Sequence, residues 1–258
     1  MTERSWRPLA PDQLCILLPT YNERESLPLM VARLQDVVPH AQILVIDDAS
    51  PDGTGRLADE LASTHKRVNV LHREAKDGLG RAYVAGFGWA VEHGFTAVVQ
   101  IDADGSHQPE ELPSLVAAAA RADLVIGSRW VPGGSVRNWA LHRRALSLGG
   151  NLFVRLALGI PVRDATAGFR IYRVDALRAM GVADIASAGY CFQVDLTLRA
   201  VDRGLVVREV PIEFVERVQG VSKMGTSIVA EALVRVSLWG VERRIGQLHR
   251  RLHRANHR

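Results

Sequence analysis

Only two cysteines occur in the 258 residues, Cys15 and Cys191, far apart in the chain and each set in an apolar stretch. That argues against a disulfide framework or a zinc site and leaves two isolated core thiols. No run approaches the roughly 18 consecutive apolar residues that a membrane-spanning helix needs, and the amino terminus lacks a basic segment followed by an apolar signal core. The expectation is a protein that is cytosolic or lies on the cytosolic face of a membrane. A Walker Lys-Ser/Thr is also missing. The segment Lys76-Asp77-Gly78-Leu79-Gly80-Arg81-Ala82 has Gly-X-Gly before a helix, but its third glycine falls at Gly86, so the dinucleotide-binding spacing is not met. From Arg243 to Arg258 there is no acidic residue, while arginine recurs at 243, 244, 250, 251, 254 and 258. A tail of this kind can approach anionic lipid or remain a solvated terminus, and no nucleic-acid reading module accompanies the charge.

What is present is enough apolar residue to build a core: 47% hydrophobic against 23% charged, with a net charge of only +4. A chain of this length can bury one substantial domain with an appended element. Strand and helix patterns alternate through the first half. Gln13 to Leu18 reads as a strand stopped by Pro19, and a helix follows through about Val38. Gln42 to Ile46 is the next strand, ending in Asp47-Asp48 before the dense turn Ala49 to Gly55 and a helix through about Thr64. Val68 to Leu71 and Gly78 to His93 supply a third strand and helix. Alternation at this spacing implies right-handed crossovers and an α/β fold with a mostly parallel sheet covered on both faces.

Ligands in such sheets sit at the carboxyl ends of the strands. Pro19 to Glu23, Asp47-Asp48 and Asp102-Ala103-Asp104 all fall there, the last directly after the apolar run Thr96 to Ile101. Two carboxylates one residue apart beside Gly105 can converge on a hard divalent cation, or divide between a metal and a sugar hydroxyl. Asp-X-Asp triplets also occur as solvated turns, so this one takes its weight from its surroundings. Helix capping is the other role open to Asp47 and Asp48, and one of the two is expected to cap.

Downstream, a helix from about Pro109 to Arg121 precedes Leu124 to Trp130, a strand that delivers Arg129 toward the same crevice or into an ion pair. From Asn138 to Leu158, Leu141, Ala145, Leu148, Leu152 and Leu156 form one helical stripe, with Arg143 and Ser147 one turn apart on another. This helix either packs wholly inward or lies at a bilayer surface. Asp164 to Arg173 is a turn entering a strand, Gly189 to Asp195 enters a helix, and Leu205 to Ile212 is a strand broken by Pro211. Arg217 to Gly225 is a basic loop carrying Arg217 and Lys223, able to close over phosphates.

The ordered set Pro19-Thr20-Tyr21-Asn22-Glu23, Val45 to Thr54, Gly78-Leu79-Gly80 and Asp102-Ala103-Asp104 resembles the motifs of inverting family 2 glycosyltransferases with the GT-A fold. With Gly127-Ser128-Arg129, Asp164 to Arg173, Gly189 to Gln193 and Arg217 to Lys223 in the same order, the chain is similar to polyprenol- or dolichol-phosphate mannose synthases from about Gln13 to Gly225. The resemblance implies transfer of mannose from GDP-mannose to polyprenyl phosphate with inversion, assisted by Mg2+ or Mn2+. It implies that Pro19, Tyr21, Glu23, Ile46 and Asp48 hold the nucleoside. Asp102, Ala103 and Asp104 would meet the sugar nucleotide and the metal, with Asp102 and Asp104 as metal ligands. Arg129, Arg217 and Lys223 would meet phosphate or the mannosyl donor, and Arg143 and Ser147, with Arg129, the acceptor phosphate. Catalysis is thus expected to rest on Asp102, Asp104, Arg129 and Arg217, and His107 is expected to be structural. Some members carry a metal-ligating Gln two positions after the second Asp; this chain has Ser106 there.

The expected organisation is a glycosyltransferase domain over residues 1–225 and an amphipathic basic helix and tail over 226–258. In the latter, Val234, Leu238, Val241, Ile245, Leu248 and Leu252 recur at helical spacing. Such a helix suits a membrane interface, a membrane-anchoring protein partner or self-association; membrane contact is preferred because a polyprenyl acceptor cannot leave the bilayer cheaply. The rivals are the same chemistry with UDP-glucose or another nucleotide sugar, and a membrane-associated nucleotide-binding scaffold without catalysis.

Overall fold

The computed structural model describes residues 6, 9–182, 185, 190–216 and 232–245. Its main sheet is built from β1 (Leu14–Thr20), β2 (Gln42–Asp47), β3 (Val68–His72), β4 (Ala97–Gln100), β5 (Leu124–Ser128), β7 (Arg170–Arg173) and β8 (Val207–Pro211). Their order across the sheet is β3-β2-β1-β4-β7-β5-β8, and only β7 runs antiparallel to its neighbours. A separate two-stranded parallel pair joins β6 (Ser135–Arg137) to β9 (Glu213–Val215).

The long apolar runs of β1, β2 and β4 are buried on both faces, as expected where crossover helices cover a parallel sheet from both sides. Alternation along β1 divides the core. Cys15 and Leu17 face one apolar layer, made with α3 (Leu79–Glu92), α5 (Leu141–Leu158), α6 (Val174–Met180) and α7 (Tyr190–Asp202). Leu14, Ile16 and Leu18 face the other, made with α1 (Leu27–Val37), α2 (Thr54–Thr64) and α4 (Leu112–Ala119). Both cysteines are buried thiols outside any disulfide, and burial pushes the Cys15 thiol up to about 12, so it is inert at neutral pH.

The first three strands step outward from β1, and the chain then returns to lay β4 on the opposite side of β1. This reversal opens a crevice at the carboxyl ends of β1 and β4, because the connections leaving the two strands diverge there. Helix α3 closes its floor. A Cβ at Gly86 would stand 2.6 Å from Cδ1 of Ile46 and 2.8 Å from Leu17, so only glycine lets this helix lie so close to the sheet. Gly78, at φ +88°, turns the chain into the same helix.

Several elements differ from expectation at their ends. Pro19 does not stop β1: it stays in register opposite Ile46, while the pairing of β1 with β4 has already ended at Leu17, so the missing N–H interrupts only an unpaired edge. The helix expected from Pro109 begins as a 3-10 turn over Pro109–Glu111 before α4. The short strands β6 and β9 were not foreseen. Residues 232–245 form a further helix, α8, held by buried Val236, by Trp239 against the core, and by Gly240 against Ala157 of α5. Among the described residues no helix is long and apolar enough to cross a membrane.

Candidate active site

The loops leaving β1 and β2 are tied into one unit. The Thr20 hydroxyl donates to Asp47 Oδ1 at 3.1 Å, Ser50 donates to Asp47 through both its N–H (3.1 Å) and its hydroxyl (2.5 Å), and Asn22 N–H donates to Ser50 Oγ at 3.1 Å. Asn22 and Ala49 take left-handed φ values of 61° and 54°. Such strain clusters where a loop must present its backbone to a ligand. Neither Asp47 nor Asp48 caps α2, contrary to expectation. Asp47 is spent on the turn, Gly53 stands at the cap, and Asp52 accepts from Thr54. Asp48 lies under a 2.5 Å ion pair with Arg73 of the β3–α3 loop; burial raises its carboxyl pKa despite that partner. Tyr21 meets Lys76, whose Nζ stands 3.7 Å from the ring centroid. Ile46 is wholly buried and packs under α3, so it shapes the floor without lining the crevice.

Asp102 and Asp104 stand at the end of β4, both partly exposed, with Ala103 between them turned into the core. Each carboxylate is braced. The Tyr83 hydroxyl of α3 donates to Asp102 Oδ1 at 2.9 Å, while His107 Nδ1 lies 3.6 Å from Asp102 Oδ2. Asp104 Oδ1 accepts from the Ser106 N–H at 3.0 Å and from its hydroxyl at 2.6 Å. Ser106 therefore stands as a brace for Asp104. His107 is buried, and desolvation lowers its pKa against the pull of Asp102 and Asp104, which keeps the imidazole neutral. A buried neutral ring clamped between Asp102 and Phe214 fits the structural role expected for it.

Beyond this turn lies a cluster of cations. Arg129, at the end of β5, is locked onto Asp164 by Nε at 2.8 Å, Nη2 at 2.7 Å and its own backbone N–H at 2.9 Å. Burial raises the Asp164 pKa, but the charge and hydrogen bonds of Arg129, with Arg170 beyond, outweigh it and hold the carboxyl below its usual range. Asn151 donates to Asp164 Oδ1, to Thr166 Oγ1 and to the Ser147 carbonyl, tying α5 to the same loop. Fully buried Arg170 donates to the carbonyls of Ala165, Ala167 and Gln193 and fixes that loop from beneath. Arg143 is ion-paired with Glu216, and its guanidinium lies 4.3 Å from the Trp139 ring centroid.

Phe214 of β9 joins the two groups. Its ring is 5.2 Å from His107 and 5.4 Å from Trp139, and Arg129 Cζ is 5.5 Å from both Phe214 and Trp139. Val215 N–H also donates to the Ser106 carbonyl at 3.0 Å. His107, Phe214 and Trp139 thus link the aspartate turn to Arg129 and Arg143, and Ser147 lies one turn further along α5. Arg217 and Lys223 lie outside the described residues. Tyr83, Trp139, Asn151, Phe214 and Glu216 were not singled out from sequence. Tyr83 left a signal: a tyrosine on the buried face of a helix needs a partner for its hydroxyl.

Comparison with known proteins agrees with this geometry. A family model described as glycosyl transferase family 2 matches residues 15–181. The chain is 54% identical over 236 residues to an undecaprenyl-phosphate mannosyltransferase from Micrococcus luteus, covering 92% of this chain and 97% of that one. It is 53% identical to a polyprenol monophosphomannose synthase from Mycolicibacterium smegmatis, covering 89% and 88% respectively. In fold it is similar to glucosyl-3-phosphoglycerate synthase from Mycobacterium tuberculosis, with a TM-score of 0.62 at 19% identity, covering 89% of this chain and 79% of that one. With a mostly parallel seven-stranded sheet of GT-A type and an Asp-X-Asp turn braced at its rim, the chain belongs to glycosyl transferase family 2.

Proposed function

We propose that the protein transfers mannose from GDP-mannose to polyprenyl phosphate, with inversion at the anomeric carbon, at the cytoplasmic face of a membrane. The observation that carries this reading is the run of contacts, through His107 and Phe214, that links the turn of two braced aspartates to two guanidiniums sharing the Trp139 ring. Joining two phosphorylated substrates requires such an arrangement, since their charges must be screened and their reacting atoms aligned.

Tyr21, Glu23 and Asp48, with Pro19 and the floor at Ile46, hold the nucleoside. Arg217 and Lys223, known here from sequence alone, complete the donor side. Among the described residues no group of three His, Cys, Asp or Glu side chains is placed to hold a metal. Two carboxylates, Asp102 and Asp104, suit an ion of the Mg2+ or Mn2+ kind, which binds through one or two carboxylates while substrate phosphate and water fill the other positions. When bound, it would neutralise charge on the departing diphosphate. The acceptor phosphate is already an anion and needs no base, in keeping with a neutral, buried His107. Arg129, held rigid by Asp164, and Arg143 with Ser147 on α5 receive that phosphate.

The membrane side of the reading rests on two helices. Leu141, Leu148, Leu152 and Leu156 of α5 and Val234, Leu238, Val241 and Ile245 of α8 are exposed, and the helices touch at Ala157 and Gly240. One face of α5 thus bears the acceptor cation while another bears bare leucines, as a lipid substrate with its tail left in the bilayer would need. Each buried CH2 is worth about 0.8 kcal/mol.

The test is radiolabelled GDP-mannose with undecaprenyl phosphate, followed by lipid extraction and analysis of the anomeric linkage. A mild-acid-labile, mild-alkali-stable mannolipid of β configuration is expected, lost in Asp104→Asn with the fold intact. Preference for UDP-glucose, or no GDP release on adding prenyl phosphate, overturns it.

A further inference from the structure

The two arginines at the acceptor rim are held differently. Arg129 is gripped by Asp164 through two guanidinium nitrogens and the backbone, and Asp164 is wholly buried. Arg143 meets Glu216 through Nη1 at a pair whose side chains remain 23% and 33% exposed. Nearby donors lack acceptors: Arg143 Nε, Trp139 Nε1 and Trp130 Nε1 are buried with no hydrogen-bond partner among the described residues. The indoles pack edge to face at 6.3 Å, with Arg143 over the Trp139 ring. This corner is rich in donors and has one single-pronged, solvent-reached carboxylate. Glu216 itself sits on a firm mount, since its N–H donates to the Arg137 carbonyl at 3.1 Å just past the β6–β9 pairing.

We propose that Glu216 is an exchangeable counter-ion for Arg143: the acceptor's phosphate displaces it, and it returns to Arg143 as the product leaves. This rests on the acceptor assignment made above and adds a residue to it. The chemistry gives the exchange a direction. A phosphate oxygen of the acceptor forms the new bond to the anomeric carbon, and the bond from that carbon to the diphosphate breaks with its electron pair going to GDP. The lipid phosphate thereby changes from a monoester near dianionic charge to a monoanionic diester, while GDP takes up the charge. Its hold on Arg143 weakens just when Glu216 must reclaim the guanidinium.

The experiment uses the full chain with a short, detergent-soluble prenyl phosphate. It measures acceptor KM and the inhibition constant of the purified mannosyl phosphodiester for wild type, Glu216→Gln, Arg143→Ala and the double variant. A partly exposed pair is worth at most a fewfold, so Glu216→Gln should lower acceptor KM and tighten product inhibition by about fivefold each. Arg143→Ala should raise KM, and adding Glu216→Gln to it should change nothing further. If Glu216 only props Arg143 in place, Glu216→Gln raises KM and the proposal fails. If it tightens binding equally without Arg143, the effect is through-space charge and the proposal fails. Unchanged KM in Glu216→Gln, with KM raised in Arg143→Ala, removes Glu216 but keeps the acceptor assignment; unchanged KM in Arg143→Ala removes both.

Discussion

The two rims of the crevice, proposed above to take donor and acceptor, are built by different means. On the donor side, carboxylates at the ends of central strands are braced from neighbouring elements: Asp47 by Thr20 and Ser50, Asp48 by Arg73, Asp102 by Tyr83. On the other side, Arg129 follows β5 of the main sheet, but Arg143 and Ser147 come from α5 and Phe214 from a two-stranded pair outside that sheet, and the outer face of α5 is bare leucine. The two arginines of that second side differ from each other as well, Arg129 locked in the interior and Arg143 paired at the surface. Groups that must keep a fixed geometry around a small, polar ligand are held at the ends of core strands by braces from neighbouring elements, which leave few alternatives. The groups proposed to receive a long lipid stand nearer the surface, where solvent and ligand can reach them.

Breaking the locked arginine should have the largest effect on the fold. Arg129→Met leaves Asp164 buried without its partner and should cost about 3–5 kcal/mol in denaturant unfolding. Its pH dependence should also reverse. In the wild type the Asp164 pKa is lowered, so its contribution is complete above the unfolded value of about 3.9 and is lost only as pH falls through the folded one. In the variant, burial raises that pKa, and stability should increase as pH is lowered from 7 toward 4.

A smaller effect is expected at the donor brace. Tyr83→Phe removes one hydrogen bond to Asp102, for about 1 kcal/mol in stability. Manganese affinity, read by titrating activity or by paramagnetic resonance, should fall by about tenfold, as for other groups that orient a metal ligand. Unchanged affinity would mean that Asp102 needs no support from α3. The acceptor face should barely notice its own substitutions in solution. Leu152→Glu with Leu238→Glu should alter unfolding by less than about 0.5 kcal/mol. Co-sedimentation with anionic vesicles should nevertheless fall sharply; equal sedimentation would remove these leucines from membrane contact.

The alternation of apolar strands with amphipathic helices made the first half readable, because a strand such as β1, buried on both faces, has few other ways to satisfy its pattern. Strand β7 was less readable: Arg170 to Arg173 carries no mark of running antiparallel between β4 and β5. The pair β6–β9 has three residues per strand, too few for a period, and its partners are separated by most of the second half. At the site, the Asp-X-Asp turn and Arg129 could be found by position after a strand. The partner of Arg129 could not, since Asp164 is 35 residues away and reaches it only through the turn of the fold. The stripe of α8 could be counted from sequence, but not that Val234, Leu238, Val241 and Ile245 face outward while Val236 and Gly240 face in.

The sequence by itself determined the layered α/β architecture, the strand ends at which charge collects and the family motifs, because these depend on local periodicity and on residues close in the chain. Tertiary structure alone decided which carboxylates are spent on bracing, which guanidinium is locked in the interior and which is paired at the surface, and which leucines stay bare. Those outcomes depend on pairing and burial between segments distant in sequence, where the same arginine or leucine has opposite energetics inside the core and at its edge.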